Sequence, residues 1–138
     1  MKVSFAGIML ITLSLVAQAG AQPSTVFRGR PSVKISEGGT SRNPEKLARE
    51  KAINLECVIS QIGEDFYWAS RENVPMVRVE QGAFVTYMAV TGAGYVKVIK
   101  PEMKDVAGLL GETETEFDYV EHLTQGLATV TYYGRARP

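Results

Sequence analysis

The sequence predicts an α+β domain dominated by β structure, a small antiparallel curled sheet or SH3-like barrel with two short helices. Three observations predict it. Beyond Ile53, apolar and polar residues alternate, the period of a strand with one buried face. Turn formers (Gly63-Glu64, Glu72-Asn73, Gly82, Gly92-Ala93-Gly94) interrupt that alternation, at the roughly 8–12-residue spacing of a meander. Cys57 is the single cysteine, so no internal disulfide can form and a hydrophobic core must hold the fold.

The first 21 residues read as a cleaved signal peptide outside the fold. Lys2 gives a short positive start, "FAGIMLITLSLV" from Phe5 to Val16 is an uncharged apolar run, and Ala17, Ala19 and Ala21 follow. Small residues at that spacing suit cleavage after Ala19 or Ala21. A retained anchor is the competing reading, but the run is shorter than the roughly 20 residues a bilayer requires. The expectation is an exported protein, periplasmic or extracellular, with no transmembrane segment in the mature chain.

Residues 22–43 ("QPSTVFRGRPSVKISEGGTSRN") are rich in Pro, Gly, Ser and Thr, which reads as a flexible basic arm. Ser32–Ser36 has the alternation of a short added edge strand. Gln22–Lys51 holds seven Lys/Arg against three Asp/Glu, and Ala52–Pro138 seven against twelve. A basic arm therefore precedes an acidic body, and one globular domain spans 44–138.

Asn43-Pro44-Glu45 suits a helix start, with Asn as cap and Pro in the first turn, and "PEKLAREKAI" would carry the first helix. Ile53, Leu55, Cys57 and Ile59 then share one face of a strand. Phe66–Arg71 forms the second strand. Pro75 marks an edge or a strand start because it lacks a donor N–H. "MVRVEQ", "AFVTYMAV" and "YVKVI" complete five strands. "PEMKDVAGLL" from Pro101 has helical spacing and a glycine stop at Gly111. Glu112–Gly126 supports two readings. Thr113 with Glu116 fits a capping box, whereas Phe117, Tyr119, Glu121 and Leu123 alternate and Gly126 suits a hairpin turn. The hairpin is preferred, with "LATVTYY" as its second strand.

Function is sought first in "EDFYWASREN", Glu64–Asn73. On a strand, Phe66 and Trp68 face one way and Tyr67 and Arg71 the other. Phe66 and Trp68 are expected in the core. Tyr67 and Arg71, with Tyr87 and Tyr95, form a candidate platform on which a flat ligand stacks beside one cation. Tyr132, Tyr133 and Arg135 are further contact candidates at the far end.

Catalytic patterns are sparse. His122 is the single histidine, no ligand pair has metal-site spacing, and there is no G-x-S-x-G. The five carboxylates of "GETETEFDYVE" read as a solvated face, and "GAGY" at Gly92 lacks the helix and Lys of a phosphate loop. The expectation is a non-catalytic binding or interaction module for a protein, peptide or glycan, with no cofactor, metal or nucleic acid. Two alternatives stand beside it. One is a small hydrolase using Cys57 and His122; the other is an assembly subunit that pairs through an open strand edge such as the Pro75 strand or the arm strand.

Overall fold

The alternating segments wrap into a closed cylinder in the computed structural model, which describes residues 20–102 and 116–137. In chain order the elements are β1 (Ser24–Gly38), β2 (Ser41–Lys46), α1 (Arg49–Asn54), β3 (Cys57–Ile62), β4 (Asp65–Trp68), β5 (Val74–Gln81), β6 (Phe84–Thr91), β7 (Gly94–Pro101), β8 (Phe117–Gln125) and β9 (Ala128–Arg137). From β3 to β9 each strand pairs antiparallel with its successor. β1 then pairs with β3 on one edge and β9 on the other, so eight strands close into a barrel. Closure removes the open edges that would otherwise template pairing with another chain.

β1 is the longest strand, and it overturns the reading of 22–43 as a flexible arm. Its first half, Ser24–Gly29, pairs with β3, and its second half, Val33–Gly38, pairs with β2 along the same edge. Between the two, Pro31 sits at a bulge in the β1–β9 register, a position at which a residue without a donor N–H is tolerated in a sheet. There the Ser32 carbonyl accepts from the Leu47 N–H at 2.8 Å. Among the described residues β2 is the strand with an unpaired outer edge. It is exposed and carries Arg42, Pro44 and Lys46, residues that discourage edge-to-edge association. The Pro75 strand, by contrast, is flanked by β4 and β6, and Pro75 lies beyond the last β5–β6 register pair.

The first helix is displaced. Asn43 and Pro44 belong to β2, and α1 starts at Arg49, without a side-chain cap, and runs six residues. So short a helix is held by packing rather than propensity: Leu47 and Ala52 are buried with Tyr132, against Leu55, Leu123 and Val130. Ile53 falls in this helix and is exposed, so the third strand begins at Cys57. The second expected helix, like the leader peptide, falls on residues 103–111 and 1–19 that lie outside the described ones, although Pro101 closes β7. No helix among the described residues is long and apolar enough to cross a membrane.

Phe117–Gln125 resolves the ambiguous segment as a strand, joined to β9 by a turn in which Gly126 takes a left-handed φ of 59°, a conformation open to glycine at little cost. The β4–β5 turn uses Glu72 and Asn73, both left-handed. Inward side chains fill the cylinder: Phe27, Cys57, Ile59, Trp68, Met76, Val85, Tyr87, Val96, Val98, Phe117 and Tyr119 form one buried cluster. Complete burial of each aliphatic or aromatic side chain contributes about 1.5–3 kcal/mol, and eight strands give an interior of the width that side chains can fill.

Candidate functional site

Antiparallel strands bring alternate turns to opposite ends of the barrel. The β4–β5, β6–β7 and β8–β9 turns surround one mouth, and it contains a cavity of about 260 Å³. Trp68, Arg71, Tyr95 and Tyr132 line it, together with the apolar Val96, Leu123 and Val130. Thr91, Thr124 and Gln125 supply polar groups at the rim. The Arg71 guanidinium carbon lies 5.5 Å from the Trp68 ring centroid, within cation–π range. One buried aromatic, one held cation and a concave apolar surface are the components small-ligand pockets use.

A polar cluster lies beneath this mouth. Glu121 is the next inward residue below Leu123, about 7 Å further in at strand spacing. It is fully buried, and neither carboxylate oxygen has a hydrogen-bond partner among the described residues. Burial pushes its carboxyl up to about 7, with the Arg71 charge opposing. The Tyr119 hydroxyl and Trp68 Nε1 are likewise buried without hydrogen-bond partners. Burial raises the Tyr119 phenol far above the ordinary tyrosine range, with Cys57 and Glu121 adding to it.

The four residues expected to form one platform divide. Arg71 and Tyr95 meet at the mouth, joined by Tyr132. Tyr67 stands opposite Ser60 and Pro75 on the outer wall, away from the inward-facing Trp68. Tyr87 is buried inside the barrel, its ring 5.4 Å from Phe66 and its hydroxyl beside Arg78. It cannot be a surface platform residue, because Arg78 is its inward-facing cross-strand partner and supplies the polar contact the hydroxyl needs. Of the far-end candidates, Tyr133 and Arg135 face outward from β9 and Tyr132 inward. Glu121 was legible from its phase with Phe117, Tyr119 and Leu123, but its charge counted it with the solvated acids.

Cys57 and His122 do not meet. Cys57 faces the interior, whereas His122 faces out beside Lys97 and Thr131, with Nδ1 3.0 Å from the Thr131 hydroxyl oxygen. Burial, then the charge of Glu121, drives the Cys57 thiol well above its usual range. The Trp68 indole N–H lies near enough to favour the thiolate slightly, without hydrogen-bond geometry. Burial and Lys97 lower the His122 imidazole. Cys57 is therefore expected to react with a maleimide only after denaturation, as read by intact mass. Rapid labelling of the native protein would show that the core around it opens.

Among the described residues no cluster of three or more His, Cys, Asp or Glu could hold a metal ion. Comparison with protein-family models, curated proteins and solved structures finds no match to this chain.

Proposed function

We propose that the barrel is an exported, non-catalytic binding module that takes a small ligand with a flat apolar face into the mouth formed by Trp68, Arg71, Tyr95 and Tyr132. The leader-like residues 1–21 support export. One observation carries the binding reading: the cavity joins an apolar lining to a tryptophan held under a guanidinium. A sugar ring or an aromatic peptide side chain suits such a surface, because both present a flat face to stack and polar edges for Arg71, Thr124 and Gln125. The cavity volume, about 260 Å³, falls just below the roughly 300–1,000 Å³ of drug-sized sites, so one ring or one side chain enters rather than a long chain.

The single tryptophan makes the test direct. A panel of methyl glycosides and aromatic dipeptides is titrated against the intrinsic fluorescence of Trp68. A ligand of the mouth is expected to shift or quench that emission, and Arg71→Ala and Tyr95→Ala should each weaken it about tenfold, the loss of one good contact. A ligand whose affinity survives both substitutions in a folded protein places binding elsewhere.

A further inference from the structure

We propose that the outer wall at the β1–β9 seam is an anion site, taking a ligand that carries two or more phosphate groups. It is independent of the mouth. Register places Arg28 directly opposite Arg137 and Arg30 directly opposite Arg135, and all four face outward. Like charges directly opposed across an antiparallel pair are destabilising, and here two such pairs succeed one another on the same face.

Carboxylates answer part of this charge. Glu56 lies 2.6 Å from Arg28 and 3.6 Å from Arg30. Glu116 lies 3.0 Å from Arg137 and 3.4 Å from Arg135, and Asp118 lies 3.6 Å from Arg135. A fifth arginine, Arg49 of α1, lines the same groove and makes no ion pair among the described residues. Among the described residues, then, five guanidinium groups and three carboxylates stand around a concavity of about 630 Å³ that Pro31 and Ala136 also line.

Geometry selects the ligand. A guanidinium is a planar fork matched to the paired oxygens of phosphate or carboxylate. Arg28 and Arg30 are two residues apart on one strand, as are Arg135 and Arg137, so the two arginine pairs are stacked about 7 Å apart. Each pair can clasp one tetrahedral anion between its two strands, and the spacing requires a second anion on the same molecule for full neutralisation. Concavity favours a compact multiply charged group over a flat surface, and that group is either a soluble oligophosphate or a lipid headgroup bearing two phosphates.

Calorimetric titration of the purified protein with tripolyphosphate, and separately with inorganic monophosphate, tests it. Tripolyphosphate is expected to bind at least about tenfold more tightly than monophosphate, and its affinity should fall steeply with salt. Arg30→Gln/Arg135→Gln should weaken it at least about tenfold. Because that change also touches the ion pairs, Arg49→Gln is the second variant: it removes a cation with no ion pair among the described residues, and should weaken tripolyphosphate binding while leaving Tm unchanged. Co-sedimentation with phosphatidylcholine vesicles containing cardiolipin, displaced by tripolyphosphate, would place the phosphates on a headgroup; binding of tripolyphosphate without co-sedimentation would make the ligand soluble. Absence of binding by the parent protein at low salt, or equal binding by all three proteins, overturns the proposal.

Discussion

Gly134→Ala is expected to prevent the barrel from closing. A Cβ at that position would stand 2.2 Å from the Arg30 carbonyl oxygen and 2.7 Å from the Pro31 Cα, both main-chain atoms of the paired strand. No rotamer change relieves such a clash. The seam between β1 and β9 must widen instead, losing ladder bonds and separating the core beneath. Overpacking in a core costs about 1–3 kcal/mol even where side chains can shift, so a collision with backbone should cost about 3 kcal/mol or more. Gly92→Ala is the matched control, because nothing lies within 4 Å of its Cβ position. Chemical denaturation of the two variants decides it, and a Gly134→Ala protein within about 1 kcal/mol of its parent would mean that the seam is looser than its register implies.

Glu121 should give the protein an inverted pH response. Its carboxyl is held at about 7 in the barrel against an ordinary 4.5, so between those values the native state keeps a proton that the unfolded chain releases. Stability then declines as pH rises across this window. Below about pH 4.5 both states are protonated and Glu121 adds no pH dependence. Above about pH 7 the buried carboxylate exacts its full penalty, about 3 kcal/mol at 1.36 kcal/mol per unit. Glu45 works in the other direction, since Lys51 depresses its carboxyl, so the parent curve is composite. The difference between parent and Glu121→Gln isolates the buried group. The variant should be close to the parent at pH 4.5 and more stable by an increasing margin towards pH 8. Parallel stability curves for the two proteins would show that the carboxylate is ionised at ordinary cost inside the barrel.

The strands whose inward residues are hydrophobic could be read from local alternation: β4 with Phe66 and Trp68, β6 with Val85 and Ala89, β7 with Val96 and Val98. β1 could not. Its inward positions at the seam are Gly29 and Pro31, and after the bulge Lys34 faces Tyr132, so no apolar period runs the length of "STVFRGRPSVKISEG". The reason lies on another strand. The Tyr119 ring occupies the space above Gly29, where a Cβ would come within 2.5 Å of it, and Phe27 meets that ring edge-on at 5.1 Å. A residue that is small because a distant aromatic covers it carries no local signal. With most of β1 unread, closure was unseen too, and a seven-strand curled sheet or SH3-like barrel stood in for eight strands closed on themselves. The candidate site suffered the same way. Arg71 and Tyr95 were picked out by residue type, but the strand phase that set Arg71 on the Tyr67 face does not hold, because β4 ends at Trp68 and the turn lays Arg71 over that ring. Tyr87 was misplaced because its partner Arg78 is a charged residue inside the barrel.

The Gly29–Ala136 contact also has a bearing on how the chain reaches this shape. The β3–β9 strands form by successive hairpins, each closing a short loop, except across the longer β7–β8 connection. The seam instead joins residues about a hundred positions apart, and such closure carries the largest entropic cost while its contacts reward it last. Folding is therefore expected to pass through a seven-strand curled sheet with β3 and β9 both open at their edges, awaiting β1. That state exposes two unsatisfied edges on one molecule, and its lifetime before β1 docks sets how readily the protein aggregates as it folds.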